Sequence, residues 1–379
     1  MTDQPAVPPT LPRYGEAALA DLASSLLASL GLDEPNPLYL PPAARACLLI
    51  VDGLGWELLR DHPAAAPFLS ELATTTGRPL TAGFPATTVT SLGSLGTGRS
   101  PGQHGMLGYQ VAVPGQRRLL NALQWDRKVD PVAWQPGSTI FERAVKAGVA
   151  AFRVAPGAFR GTGLSVAVMR GAEYRVADSL GALVAQSAAA LKESDRALVM
   201  TYYGKLDSTG HSCGCTSDAW RYQLGHVDKL AEQLASALPQ GTALHVTADH
   251  GMVDVPPQDR IDVDATPELR QGVAQLGGEP RARHIYAEPG AAPDVLATWR
   301  EILGTRAWVV PREEAIAAGW FGEVAEHLAA RIGDVVAAPA GPWAIVATRA
   351  EPHESALVGM HGSLTTADQL VPHLVLAET

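Results

Sequence analysis

The chain has 379 residues, 46% of them hydrophobic and 18% charged, with a formal net charge of -10. That composition can bury a large globular core, and its excess of acid excludes a nucleic-acid polymer as a generic partner, which requires clustered Lys and Arg. Three cysteines, Cys47, Cys213 and Cys215, are too few for a disulfide framework and fit a reducing compartment. The start, "MTDQPAVPPTLPRYGEAALADL", lacks a basic segment followed by an apolar run. No apolar stretch reaches the roughly 18–20 residues of a membrane span. The expectation is a cytoplasmic protein with no membrane partner.

Residues 1–13 are Pro-rich and read as a loose arm, leaving 14–379 as a single domain. Between Glu16 and Leu30 the spacing Leu19, Leu22, Leu26, Leu30 predicts an amphipathic helix. "ACLLIVD" (46–52) is apolar on both faces and ends in a carboxylate, the mark of a central parallel strand. The uncharged stretch "GFPATTVTSLGSLGTG" (83–98) carries four Thr and two Ser. From the residues alone it is either a closely packed helix or the bearer of a nucleophile. Residues 109–137 read as an irregular excursion. Ser138 to Ala147 is a helix with a capping hydroxyl, leading into the strand "AFRVA". "RALVMTYYGKLD" (196–207) and "TALHVTADHG" (242–251) repeat the pattern of an apolar strand with an acid at its carboxyl end. Between them, 217–238 sets Trp220, Leu224, Val227, Leu230, Leu234 and Leu238 on one helical stripe. The stretch 265–345 is rich in Pro, Gly, Ala and Arg and reads as an inserted lid lobe. Strands alternating with helices predict an α/β fold, a doubly wound and mostly parallel central sheet with helices on both faces. Ligands of such sheets bind beyond the carboxyl ends of the strands, where Asp52, Asp207 and Asp249 fall.

"VDGLG" contributes Asp52, "LDSTGH" Asp207 and His211, "TADHG" Asp249 and His250, and "GMHG" His361. Singly, such an Asp caps the next helix and such a His bonds within a loop. Three acids and three imidazoles, each His beside a glycine, together point to metal ligation, with zinc, iron or manganese the suited ions.

These motifs, with "FPATTVTSLGSLGTGRSPGQHG" between the first two, occur in an order that resembles the alkaline phosphatase superfamily, and most closely its nucleotide pyrophosphatase/phosphodiesterase (type I phosphodiesterase) branch. The resemblance spans residues 48 to 363. It implies that Thr88, three positions after Pro85 and at a helix start, is the nucleophile. It also implies two Zn2+, or Mn2+ or Fe in their place: one held by Asp52, Asp249, His250 and the Thr88 oxygen, the other by Asp207, His211 and His361. On that reading Thr88 ionises, attacks phosphorus and forms a phosphothreonine intermediate that water then hydrolyses. A free threonine hydroxyl is a poor nucleophile at neutral pH, and a helix N-terminus favours phosphoryl oxygens. A plain helix-capping role for Thr88 uses the same geometry.

Branch members carry an Asn three residues after the nucleophile; here Ser91 stands there and is a candidate substrate donor, as is Lys205 ahead of Asp207. Tyr202 or Tyr203 is a candidate for stacking on a base, the other packing in the sheet. His104 is expected to be structural, Cys213 and Cys215 to be free thiols, and Arg281 and Arg283 to reach substrate from the lid. His226, His245, His284 and His353 are given no role. The resemblance implies hydrolysis of a small-molecule phosphodiester or phosphoanhydride, a nucleotide among the candidates. Phosphonoacetate-like or phosphomonoester hydrolysis is the alternative. Sulfate-ester cleavage is disfavoured, since the Cys/Ser-x-Pro-x-Arg context it requires is missing from the sequence. A non-catalytic metal- or phosphate-binding module is disfavoured because all seven positions are filled.

Overall fold

The computed structural model describes residues 5–376. Among the described residues, eleven of seventeen strands form its two larger sheets. Those of the central sheet are β1 (Arg45–Val51), β2 (Arg78–Thr81), β3 (Ala150–Ala155), β4 (Glu173–Val176), β5 (Ala197–Tyr203), β6 (Thr242–Thr247) and the last strand, β11 (Leu370–Leu376). The remaining four form a smaller sheet: β7 (Val273–Glu279), β8 (Ala282–Ala287), β9 (Ala307–Pro311) and β10 (Val335–Pro339).

The seven-stranded sheet has the order β2-β11-β6-β1-β5-β3-β4. Strand β1 runs parallel to both β5 and β6, and β5 continues parallel through β3 to β4. Only β11 opposes its neighbours, pairing antiparallel with β6 and β2. All residues of β5 and β6 are buried, which explains why these strands read as continuous apolar runs rather than alternating ones.

Two groups of helices cover the sheet. One comprises α1 (Leu19–Ser29), α2 (Thr88–Thr97), α3 (Ile140–Lys146) and α4 (Gly163–Met169); the other includes α5 (Leu180–Lys192), α6 (Lys205–Cys213) and α7 (Asp218–Ala237). Leu19, Leu22 and Leu26 of α1 are fully buried, as are Trp220, Leu224, Val227, Leu230 and Leu234 of α7, so both predicted stripes face the core. The cap of α3 is Thr139 rather than Ser138, and its hydroxyl accepts from the Glu142 N–H in a capping box.

The described part of the expected arm, residues 5–13, is anchored at its inner end. Thr10 N–H donates to Leu364 O (2.7 Å) and Arg13 N–H to Thr81 Oγ1 (2.9 Å); residues 1–4 lie outside the described residues. The excursion at 109–137 contains a small hairpin, Gln110–Ala112 against Leu119–Asn121. The stretch expected as a lid is a sheet in its own right, antiparallel in the order β7-β8-β10-β9. Helix α8 (Ala292–Leu303) packs Val295, Trp299 and Leu303 onto a separate apolar cluster with Leu269, Ile285 and Val309. Among the described residues no helix is long and apolar enough to cross a membrane.

Candidate active site

The strand order assembles the site. Asp52 directly follows β1, Asp249 stands two residues beyond β6, and α6 follows β5, so the neighbours on either side of β1 deliver their acids beside Asp52. Asp207 and His211 sit on α6 itself rather than at a strand end, because the helix begins at Lys205. Their four-residue spacing therefore puts both on one helical face. His361 lies in the loop ahead of β11, and Thr88 is the first residue of α2, after the cap Thr87. Gly53 has φ +76° and donates its N–H to Asp249 Oδ1 (3.1 Å). A Cβ there would come within 3.1 Å of the Asp207 backbone, so the turn after β1 requires glycine.

Asp52, Asp249 and His250 form one group of facing ligand atoms, and Asp207, His211 and His361 a second. His250 Nε2 lies 3.3 Å from Asp52 Oδ1 and 3.7 Å from Asp249 Oδ2. His211 Nε2 lies 3.3 Å from Asp207 Oδ1, and His361 Nε2 4.0 Å from the same oxygen. The His250 and His361 rings stack with centroids 3.6 Å apart, joining the two groups. Thr88 Oγ1 is 3.3 Å from His250 Nε2.

The chemistry of these atoms identifies what they can bind. Each imidazole Nδ1 meets a backbone carbonyl: His250 with Gly251 O (2.9 Å), His211 with Gly359 O (2.7 Å), His361 with Ala86 O (3.0 Å). A carbonyl only accepts, so Nδ1 carries a proton, and in the neutral ring each Nε2 then presents a lone pair. The buried oxygens Asp52 Oδ1, Asp207 Oδ1 and Asp249 Oδ2 have no hydrogen-bond donor. Lone pairs thus converge on lone pairs at hydrogen-bonding distance. Such an arrangement is costly unless cations sit between them, and backbone carbonyls orienting the imidazoles are the usual support of a metal site. The residues present fit two divalent ions.

Electrostatics agrees. Burial, then the Asp52 charge, pushes the Asp249 carboxyl up to about 7, and burial raises that of Asp207. Burial pulls the His250 imidazolium down, but Asp249 and Asp52 outweigh it and the pKa rises. His361 falls well below the ordinary range through burial and the neighbouring His250 and His211. Three carboxylates without a counter-charge produce this pattern.

The groups open onto a cavity of about 550 Å³ that also touches Thr88, Tyr202, Arg153 and Glu279. Tyr202, expected as a possible base-stacking ring, donates its hydroxyl to Asp52 Oδ2. Tyr203 packs in the sheet and accepts from Gln223. Glu279, from the end of β7, accepts from Thr87 Oγ1 (3.0 Å) and stands 3.8 Å from His361 Nδ1. Burial pushes its carboxyl up to about 8. The sequence reading passed over Glu279 and Arg153. Glu279 was signalled only by a lone acid in "GGEPR", and Arg153 by a cation inside an otherwise apolar strand.

Several expected contacts are not there. Ser91 is fully buried within α2, its hydroxyl without a partner, and Leu92 lines the cavity instead. Lys205 is exposed at the start of α6 and is absent from the cavity lining. Arg281 and Arg283 cannot reach substrate: both are fully buried, Arg281 paired with Asp368 (2.6 Å) and Arg283 with Glu351 (2.7 Å). The lobe gives the cavity Glu279 and Pro280, and the opposite walls come from segments 159–165 and 353–361. His353, given no role, is among the lining residues. His104 accepts from Met106 N–H at Nδ1 (3.0 Å), so its Nε2 donates to Ser94 Oγ (3.2 Å), a structural tie within the scaffold. Cys213 is exposed, and Cys215 donates to Asp254 Oδ1 (3.0 Å); all three cysteines are free.

Solved structures share this fold. Murine ectonucleotide pyrophosphatase/phosphodiesterase 5 superposes with a TM-score of 0.68 at 19% identity, over 87% of each chain, and an inactive form of it was solved with AMP. Phosphonoacetate hydrolase from Sinorhizobium meliloti 1021, in complex with phosphonoacetate, gives 0.66 at 19% identity over 88% of this chain and 90% of that one. No curated protein matches the sequence. The sequence of residues 46–364 does match one family, and the chain belongs to it: the type I phosphodiesterase/nucleotide pyrophosphatases, hydrolases of phosphoric ester bonds.

Proposed function

We propose that the chain hydrolyses a small phosphodiester or phosphoanhydride by way of a covalent phosphothreonine on Thr88, at a centre built for two zinc ions. The observation that carries this reading is the pair of ligand groups flanking a threonine hydroxyl at a helix start, with three buried carboxylate oxygens lacking any donor. Asp52, Asp249 and His250 would hold one ion beside Thr88, and Asp207, His211 and His361 the other. Divalent cations held there supply positive charge for ionising an alcohol and for the oxygen that leaves.

The chain's own groups do the rest. The first turn of α2 presents unpaired N–H groups toward the non-bridging phosphoryl oxygens. Thr88 Oγ1 forms the new bond to phosphorus while the bond to the leaving oxygen breaks. Water then attacks the phosphothreonine and returns Thr88 to its hydroxyl form. Tyr202 fixes Asp52, and the three backbone carbonyls fix the imidazoles, so the ligands need no reorganisation during turnover.

Phosphonate hydrolysis is the second reading, favoured by the likeness to a structure that holds phosphonoacetate; AMP in the murine neighbour favours a nucleotide. The three free cysteines favour a cytoplasmic location. Thr88→Ala is expected to abolish release of p-nitrophenolate from bis-p-nitrophenyl phosphate while metal content stays at two ions per chain. Acid-quenched wild-type protein should carry the added phosphoryl mass on the peptide containing Thr88. Full turnover in Thr88→Ala overturns the assignment.

A further inference from the structure

We propose that Arg153 anchors a second anionic group of the substrate, carboxylate or phosphoryl, joined to the reacting phosphorus through a short apolar spacer. This rests on reading the Thr88 site as a phosphoryl-transfer centre.

Arg153 lies on β3, is only 4% exposed, and lines the same cavity as Thr88, Asp52 and Tyr202. Among the described residues no carboxylate pairs with it: its one hydrogen bond runs from NH1 to Ser165 Oγ (3.1 Å), and one face of the guanidinium lies 5.7 Å from the Tyr174 ring centroid. Ser165 Oγ in turn donates to Phe159 O (2.7 Å), so its hydroxyl is set to accept from Arg153. The other deeply buried arginines are treated differently. Arg281 and Arg283 each have an acid at 2.6–2.7 Å, and Arg331 donates to the carbonyls of Gly105 and Trp134. A buried cation without a counter-charge is expensive, and a planar fork with donors to spare matches a two-oxygen anion. The missing partner is therefore one that arrives with the substrate.

Register fixes how far that partner extends. Arg153 pairs with Met200 across the β3–β5 ladder, and Tyr202 lies two residues further along β5 on the same face. With strands about 4.8 Å apart and a rise of about 3.3 Å per residue, the two Cα positions are roughly 8 Å apart. Tyr202 already touches Asp52, so the guanidinium is within the span of a small molecule whose phosphorus sits at Thr88. Phe159, Leu123 and Leu164 line the same cavity, and Phe159 meets Tyr202 edge to face at 5.6 Å. These walls suit an apolar spacer rather than a second polar linkage.

The test is calorimetric titration of the metal-loaded protein with propylphosphonate, 4-phosphonobutyrate and propane-1,3-diphosphonate. The three share one phosphonate and one spacer and differ in the far group. Wild-type protein should bind one or both doubly anionic probes at least about tenfold more tightly than propylphosphonate, and which probe gains distinguishes carboxylate from phosphoryl. Arg153→Met should erase that gain and Arg153→Lys keep part of it. Equal affinities for all three in wild type, or a gain that survives in Arg153→Met, overturns the proposal. The wild-type comparison stands alone if the variant folds poorly. Turnover of bis-p-nitrophenyl phosphate is scored separately: failure there with the binding preference intact removes the catalytic reading and leaves the anchor.

Discussion

Tyr202 shows why single side chains resist assignment from a string of letters. In "VMTYYGKLD" the two tyrosines are adjacent and equally apolar in context, yet alternation along β5 sends one hydroxyl to Asp52 and the other to Gln223. Tyr202→Phe leaves the ring in place and releases Asp52 Oδ2. The expected result is a fall in metal affinity of about 10- to 100-fold, the usual effect of losing a residue that orients a ligand. Competition with a chromogenic chelator measures it, alongside melting temperature. A drop in melting temperature with unchanged metal affinity would mean the hydroxyl only supports packing. The six acids and imidazoles stood out in the sequence because each combined a ligand chemistry with a neighbouring glycine or the end of an apolar run, whereas Thr88 came only with the family resemblance. Glu279 and Arg153 did not stand out, since what distinguishes them is burial without a balancing charge, a property of three dimensions. Ser91 misled for the reverse reason: three residues beyond Thr88, a hydroxyl looks available, but the fold turns it inward.

Helix α2 combines close packing with a first turn that presents Thr88 at the cavity. Two of its glycines leave no room for a side chain: a Cβ on Gly96 would overlap the Val168 carbonyl oxygen of α4, and one on Gly93 would enter the His104 ring. Helix propensity alone favours Gly96→Ala by about 1 kcal/mol, whereas overpacking against a backbone atom that cannot rotate away costs about 1–3 kcal/mol. The clash wins, so Gly96→Ala is expected to lower stability in urea denaturation despite its better helix former. A stabilised variant would show that α2 and α4 are free to separate. Element type was legible where periodicity was long, as in α1 and α7, and where apolar runs were bounded by glycine, as in β1 and β6. It failed over 265–345. There β7 breaks register between Val273 and Gln275, and the lobe's apolar residues are divided between the main core and a separate cluster, so Pro and Gly content outweighed a weak alternation.

Across the whole molecule, charge is distributed so that the scaffold is held together by neutral histidines and the site by acids awaiting cations. His245 on β6 and His373 on β11 meet across the antiparallel β6–β11 seam, Nδ1 to Nε2 at 3.1 Å. One nitrogen must donate and the other accept, which requires at least one neutral ring. Burial, reinforced by Arg78, lowers His245 to about 4, and burial with the His245 charge and Arg78 takes His373 well below its usual range. The sign follows from linkage. An unfolded histidine titrates near 6.5, so below that value the unfolded chain binds protons the folded chain refuses. The stability His245 contributes is complete above pH 6.5 and is lost as pH falls from there toward 4. The acids of the metal site titrate too, so the informative quantity is a difference between proteins that share that site. His245→Gln removes one titration and leaves an amide able to bond His373. Between pH 7 and pH 5 metal-loaded wild type should lose about 2 kcal/mol more than this variant, read from urea midpoints at each pH. Parallel losses would mean that the buried pair is already protonated at pH 7, or that acid sensitivity resides wholly in the metal site.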